Sequence, residues 1–537
     1  MIILLPNPTQ RDRRGMILYI VAVVVVLLTL AAISLRSLLQ TEQEATLIRG
    51  DELQIGLVAR SGVDYVSSTL LPPSLYDAAD ETLAANANDN IASVFISDFA
   101  ASQQDGSTTS SRAVNLDNNP PYFAGIGVVA ARPNRPQAGV ARFTILSPRI
   151  EDERVTGIRY GLTNESARLH LGAVMAWEQD SPGQGSRSLM KLPGMTPSMA
   201  DSILDWIDSD KTPRPSGAEL DYYEQSGLQY APRNAVPVAL EELLLVREVT
   251  RKMLYGDDEA MTFGYNKTGR KDGANVTDNT VGGSTNGAGE PPAWALLLTT
   301  LSTEKLVDTK TGLVKIWLNE PDLAFLHQQL TEQLDKDTAD FVVLFRQSPK
   351  VTVENVDTSL PSTRKIITPL ELLDVTVAGH KSPFSLDGAD AEEQFLKLLD
   401  TATEYEESIV YGRININAAP LCVLEAIPGM TTEAVSQIAA RRVKVDESGR
   451  YQRRQQHPTW LAAEGIVDLP TLSQLWHNIT CGGDVWRGQV VAFYDGKGPA
   501  ARLEFVIDTT MKPPRQVYQK NLTLYGIGFP TIILKPN

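Results

Sequence analysis

Apolar residues run unbroken from Met16 to Leu35, MILYIVAVVVVLLTLAAISL, without a single charge. At about 1.5 Å per residue a helix of this length crosses the ~30 Å hydrocarbon core of a bilayer. The pattern then changes without a break. No Pro occurs between Pro8 and Pro72, and Ile48, Ile55, Ala59, Val63, Val66 and Leu70 recur at three-, four- and seven-residue steps. That spacing predicts a helix that continues out of the membrane with one apolar stripe, ready to lie on another element.

Beyond this helix the periods shorten. Residues 72–140 are rich in Ala, Asn, Asp and Pro and read as loops with short helices around Ile91–Ala100. Gly139–Leu146 and Gly157–Leu171 have strand character, with β-branched and aromatic residues between turn signals. Met190–Met253 is helical with short Pro/Gly breaks. In Gly264–Glu290, Gly, Asn, Thr and Ser supply 16 of 27 residues, too little apolar surface to order a segment, so a flexible insertion is expected. Residues 293–410 mix expected strands (Val314–Leu318, Phe341–Phe345) with helices (Pro321–Asp335, Glu392–Thr403), and 412–445 return to helix. The C-terminal part alternates as strands at Val490–Tyr494, Arg502–Thr509 and Val517–Tyr525.

Length and charge narrow the class. A chain of 537 residues exceeds one ordinary core and implies two to four folded units. A net charge of −16 removes any bulk electrostatic reason to hold DNA or RNA. Two cysteines build neither a disulfide scaffold nor a four-cysteine zinc site, and five histidines with no HExxH pairing argue against a zinc hydrolase. No Gly-x-Ser-x-Gly occurs, and Gly264-x4-Gly269-Arg270-Lys271 lacks the Gly-Lys-Ser/Thr ending of a phosphate loop. No catalytic grouping emerges, so no enzyme is expected. Cys422 stands between apolar neighbours and reads as a buried small hydrophobe, and an exported compartment would also allow a bond to Cys481.

Arg11, Arg13 and Arg14 precede the apolar run, and Glu42, Glu44, Asp51 and Glu52 follow it. This asymmetry predicts a cytoplasmic N-terminus and an exported bulk. The run is longer than the core of a cleaved secretory signal, which leaves a plain signal anchor as one reading. A second reading rests on Gly15 and Met16. A basic leader, then Gly, then an uninterrupted apolar helix resembles the start of type IV prepilin-like proteins, whose peptidase cuts after the Gly. Removing residues 1–15 would take away three Arg and one Asp and leave −18.

Two segments share a helix-hairpin-helix pattern. Leu192-Pro193-Gly194-Met195-Thr196 is followed by Ala200 and Ile203, and Ile427-Pro428-Gly429-Met430-Thr431 by Val435 and Ile438, at identical spacings from the Gly. A short helix ends at Pro-Gly, the Gly takes the turn conformation, and the Thr caps the next helix. Such units often bind nucleic acid through a Gly-x-Gly hairpin, but the second Gly is replaced by Thr196 and Thr431. The first copy is followed by Asp201, Asp205, Asp208 and Asp210, which would repel phosphates. Only the second has basic flanks, at Arg441, Arg442, Lys444, Arg450, Arg453 and Arg454.

Immediately before the second hairpin stands Gly412-Arg413-Ile414-Asn415-Ile416-Asn417-Ala418-Ala419-Pro420. This run is similar to the Asn-x-Asn-Thr-Ala-Pro block of the general secretion pathway protein K family, with Asn415, Asn417 and Pro420 matching. Thr163-Asn164-Glu165-Ser166-Ala167-Arg168-Leu169 resembles the family's Thr-Asp-Glu-x-x-Lys-Leu segment. Asp205-Trp206-Ile207-Asp208-Ser209-Asp210, followed by Gly217-Ala218-Glu219-Leu220-Asp221-Tyr222-Tyr223, resembles its aspartate-rich run ending in Gly-Ala-Glu-x-x-Tyr-Tyr, and Pro237–Leu245 its next helical segment. The resemblance touches about a third of the chain. Ile20 stands where most pilins carry Glu, a departure this family shares. His170 stands where Asn is usual, and residues 262–400 exceed a compact member, with Val314–Leu323 loosely echoing the Asn-x-Asn block as a duplication would.

The resemblance implies an α+β exported region: a transmembrane, pilin-like helix on a small antiparallel sheet, with an inserted helical (helix-hairpin-helix, SAM-like) domain. On that frame the chain divides into a basic leader (1–15), a transmembrane helix (16–35), a pilin-like helix and first strands (36–175), a first hairpin region (176–260), a flexible linker (261–292), a mixed insertion (293–410), a second hairpin region (411–478) and a C-terminal β region (479–537). It implies a minor pseudopilin at the tip of a type II secretion pseudopilus, single-pass in the inner membrane with its bulk in the periplasm. Its implied partners are other pseudopilins, the secretion machinery and prepilin peptidase, with no cofactor. Related pseudopilins bind structural calcium, and Asp205, Asp208, Asp210, Glu219 and Asp221 could supply oxygen ligands, although the run does not match an EF-hand loop and also reads as a solvated helix end. The rival reading is a membrane-anchored, competence-type DNA receptor presenting the hairpins.

Overall fold

The structure is a computed structural model that describes residues 14–70, 120–129, 139–151, 154–256, 261–263, 291–308, 311–348, 356–443 and 451–536. The leader before Arg14, the helices expected around Ile91–Ala100 and the insertion Gly264–Glu290 lie outside the described residues.

One helix, α1, runs from Arg14 to Thr69. Its apolar positions Leu18–Leu39 are exposed, as a segment meant for lipid would be. Further along, Ile55, Val58, Ala59, Val63 and Val66 are each no more than 3% exposed. Ile48, counted in the sequence stripe, is exposed, and Val58 takes its place in the core. The stripe packs on a seven-stranded antiparallel sheet. Its strands are β1 (Ile126–Val129), β2 (Ala141–Glu151), β3 (Arg154–Tyr160), β4 (Thr163–Asn164), β5 (Val485–Tyr494), β6 (Ala501–Asp508) and β7 (Arg515–Asn521). The main order is β1-β2-β5-β6-β7, with β3 on β2 and β4 on β5. Helix and sheet approach so closely at Gly62 that a Cβ there would lie 2.6 Å from Val490 Cγ2 and 3.1 Å from the Phe143 ring. A larger residue at that point would lift the helix off the sheet.

The sheet is interrupted by a large helical head. The chain leaves at Asn164 and returns at Val485, and these ends are adjacent because Asn164 pairs with Trp486 and Thr163 with Arg487. The head has its own apolar core, reaching from Leu169 to Cys481 and including Trp206, Trp294, Trp460, Phe345 and Phe395. Its first helices are α2 (Leu171–Asp180), α3 (Gln184–Leu189), α4 (Pro197–Ile207) and α5 (Leu220–Gln225). Then come α6 (Leu323–Gln333), α7 (Lys336–Gln347), α8 (Ala389–Thr401), α9 (Leu421–Glu425), α10 (Thr432–Arg441) and α11 (Leu469–Leu475).

Three local expectations are corrected. Phe341–Phe345 is not a strand but the middle of α7. All five side chains are buried, so the run carries no period, and the Asp335 cap, accepting from Thr338 N–H at 2.7 Å, starts a helix instead. The expected strand Val314–Leu318 shrinks to Ile316–Trp317, and Val517–Tyr525 ends as a strand at Asn521 before a 3₁₀ turn. Cys422 and Cys481 are both buried, and no disulfide joins them.

Candidate functional site

Three places bring the sequence motifs together: the joint between head and sheet, the pair of hairpins, and the acidic cluster beside the first hairpin. The processing pair Gly15 and Met16 lies apart from all three, in the first turn of α1.

At the joint, Asn164 caps a 3₁₀ turn, its Oδ1 accepting from Ser166 N–H at 2.8 Å while its Nδ2 donates to Gly483 O at 2.8 Å. The turn delivers Glu165 into full burial. There its Oε1 accepts from Arg487 Nε at 2.7 Å, Arg168 Nη1 stands 3.5 Å away, and Thr299 Oγ1 donates to Oε2. Arg487 also reaches Glu504 at 3.2 Å, so the network links the head to both central strands β5 and β6. Burial alone would push the Glu165 carboxyl up, but the charges of Arg168 and Arg487 override it and hold it at about 2. A second contact joins head to sheet where Glu241 accepts from Lys520 Nζ and Tyr518 Oη, each at 2.7 Å. Neither Arg487 nor Lys520 stands near its partner in sequence, and no local signal points to either pairing.

The hairpins form alike. Gly194 and Gly429 turn at φ +71° and +83°, a region that an L side chain resists. Thr196 and Thr431 accept from Met199 N–H (3.3 Å) and Ala434 N–H (3.1 Å), capping α4 and α10. Pro193 offers its carbonyl to Trp294 Nε1 at 2.9 Å, and Lys191 of the first hairpin meets Glu425 of the second at 3.5 Å. Pro428 is half-buried at the second turn. Ahead of it, Asn415 Oδ1 accepts from Asn417 N–H at 3.0 Å, Asn417 Nδ2 donates to Gln455 O at 2.8 Å, and Pro420 stands at the cap of α9. These Asn residues shape the turn from strand to helix and face the interior, both buried. Of the basic flank of the second hairpin, Lys444 and Arg450 lie outside the described residues, and the other four are engaged within the molecule. Arg441 donates to Glu464 O, Arg442 to Ala419 O, Arg453 to Glu393 and Asp400, and Arg454 to Glu392.

The acidic cluster lies at the end of α4. Asp205 and Asp208 are buried and share the guanidinium of Arg214, which is 2.7 Å from Asp205 Oδ1, bonded to Asp208 Oδ2, and 3.7 Å from Glu178. Gly217 has to be Gly, because a Cβ would sit 1.9 Å from Asp205 Oδ2. Tyr223 closes the floor, its ring centroid 5.6 Å from Trp206. Asp208, Asp210 and Glu219 each present a carboxylate oxygen, all within 4.8 Å of one another, whereas Asp221 is exposed and outside this group. Burial, reinforced by the charges of Asp205 and Asp208, pushes Glu219 up to about 7. Burial also raises Asp205 and Asp208, against the pull of Arg214. Among the described residues, the buried Asp208 Oδ1 and Glu219 Oε1 find no hydrogen-bond donor. Carboxylate oxygens left unsatisfied at this spacing suit a hard divalent cation, whose oxygen ligands stand about 2.4 Å from the ion. Sequence reading found the acids but missed Arg214, whose position between Pro213 and Pro215 gave no sign that it folds back into the cluster.

No curated protein sequence matches the chain. Among solved structures, the chain is similar to one in the crystal structure of the GspK-GspI-GspJ complex from the enterotoxigenic Escherichia coli Type 2 Secretion System. The two are 12% identical with a TM-score of 0.29, over 73% of this chain and 86% of that one. Residues 175–255, which hold the first hairpin and the acidic cluster, match the family model described as type II secretion system (T2SS), protein K. Over these residues the chain carries a domain of the protein K family of the type II secretion system.

Proposed function

We propose that this protein is a non-enzymatic minor pseudopilin at the tip of a type II secretion pseudopilus, supporting export across the outer membrane. The observation that carries the reading is the protein K domain in residues 175–255. It is supported by α1, whose N-terminal half is long and apolar enough to cross a membrane and whose outer face beyond it exposes Leu53 and Leu57 among charged residues. On this reading α1 is held in the inner membrane with its N-terminus cytoplasmic, and prepilin peptidase cuts between Gly15 and Met16. The exposed apolar side of α1 packs with the rods of sister pseudopilins, and the broad head blocks further subunits from adding above it. Calcium is a structural ion held by Asp208, Asp210 and Glu219, neutralising the acidic end of α4 so that the hairpin keeps its shape.

Mass spectrometry of the mature protein tests this directly. A chain beginning at N-methylated Met16 is expected, and an intact Met1 in cells that contain the peptidase would leave only a signal anchor. The DNA-receptor reading predicts tight oligonucleotide binding that weakens steeply with salt. Engagement of Arg441, Arg442, Arg453 and Arg454 within the head argues against it.

A further inference from the structure

We propose that residues 306–408 are a third copy of the hairpin unit, inserted between the other two, and that its acidic last helix covers the basic edge of the copy that follows. The inference concerns the build of the head and stands independently of the secretion reading.

Each copy opens and closes with two-residue strands that pair in parallel. In the first, Leu169 and His170 pair with Leu298 and Thr299. In the last, Ile414 and Asn415 pair with Ile479 and Thr480. The middle segment does the same, with Ile316 and Trp317 on Ala402 and Thr403. After each opening strand comes a helix pair whose second helix starts at a side-chain cap: Thr196 for α4, Asp335 for α7, Thr431 for α10. In the first copy the leading helix is split into α2 and α3. A short Leu- or Trp-bearing turn follows, at Leu240–Leu245, Pro369–Leu372 and Trp460–Ala463. A helix then runs into the closing strand, directly at Trp294–Leu297 and α8, and through the turn Trp476–Asn478 after α11. Asn319 and Asn417 also do equivalent work. Each stands two residues after its opening strand and donates from Nδ2 to a backbone carbonyl shortly before the middle turn, Ile366 O and Gln455 O, both at 2.8 Å. The middle copy has no Pro-Gly hairpin. Asp335, directly after Leu334, turns the chain and caps α7 in its place, which hides the repeat from a search for Pro-Gly-Met-Thr.

The copy is an insertion because its two ends touch. Thr303–Lys305 pairs antiparallel with Ile409–Tyr411, and Lys305 lies opposite Ile409. It docks on the next copy through α8. Glu392 accepts from Arg454 Nε at 2.6 Å, Glu393 from Arg453 Nε at 3.1 Å, and Asp400 from Arg453 Nη1 at 3.1 Å. His457 Nε2 lies 2.8 Å from the same Asp400. Steps of seven and eight residues along α8 put all three carboxylates on one helix face. Arg453 and Arg454, on the basic edge of the last hairpin, therefore already have their acidic occupant in the same chain.

Hydrogen exchange on the full chain tests both parts. In the E392Q/E393Q/D400N variant, amides of α6, α7 and α8 are expected to lose protection together by tenfold or more. Those of α4, β5 and β6 are expected to keep theirs. Unchanged exchange in α6–α8, or loss spread evenly through head and sheet, would overturn the charged cover. In a second variant a two-residue turn joins Lys305 to Ile409 in place of residues 306–408, with Arg453→Gln and Arg454→Gln. It is expected to fold with α4, α10 and β5 protected as before, and failure to fold would overturn the insertion.

Discussion

In the sheet body, α1 is fastened by Ile55, Val58, Ala59, Val63 and Val66 against strands carrying Phe143, Ile145 and Val490, all apolar and all buried. In the head, the same depth of burial holds the charged Glu165, Arg168, Asp205 and Arg346 as well as tryptophans. Apolar packing tolerates small shifts and fixes an angle only through shape, as at Gly62. Buried charge tolerates little, because each ion has to meet its partner or cost several kcal/mol. The body is thus a rod laid on a sheet, and the head is a set of hairpin units locked in orientation by charge at Glu165 and at α8.

The largest effect is expected at the joint. Glu165→Gln leaves Arg168 and Arg487 buried with one side of their partner gone, and Glu165→Ala removes it. Breaking such a network costs roughly 3–5 kcal/mol, to be read from denaturant unfolding of the exported region. The pH dependence has a definite sign. The folded Glu165 carboxyl lies at about 2, below its usual 4.5, so this contribution is present above pH 4.5 and is lost as pH falls towards 2.

The acidic cluster runs the other way. Glu219 is raised from 4.5 to about 7, so its contribution is full below pH 4.5 and is lost as pH rises through 7. Calcium should cancel that loss. At a hundredfold excess over its dissociation constant it would stabilise by about 2.7 kcal/mol. The expected outcome is a melting temperature at pH 7.5 that rises with calcium and falls with EGTA, the response vanishing in Glu219→Gln. An unchanged melting temperature would leave Asp208, Asp210 and Glu219 as a plain acidic helix end.

A smaller contrast lies on α1 itself. Gly62→Ala should destabilise by about 1–3 kcal/mol through overpacking against Val490 and Phe143. Gly56→Ala meets nothing among the described residues within 4 Å and should stabilise by roughly 0.5–1 kcal/mol through helix propensity. Equal effects at both positions would mean that the rod does not press on the sheet. The hairpin caps come last, with Thr196→Ala and Thr431→Ala each costing about 1 kcal/mol by thermal unfolding.

Local chemistry was legible in the residues. The apolar run and stripe of α1, the two Pro-Gly turns with their Thr caps, and the C-terminal strands each depend on neighbours within a few positions, and a period or a turn residue records that dependence. The uniformly apolar Phe341–Phe345 was ambiguous because burial on every side erases periodicity. Only the folded molecule decided that Arg214 turns back onto Asp205 and Asp208, that Arg487 crosses 322 positions to meet Glu165, and that Ile316 finds Ala402. Charge pairing and strand pairing over such separations leave no local trace, since any of many arginines or short apolar runs would satisfy the same sequence and only chain geometry selects one.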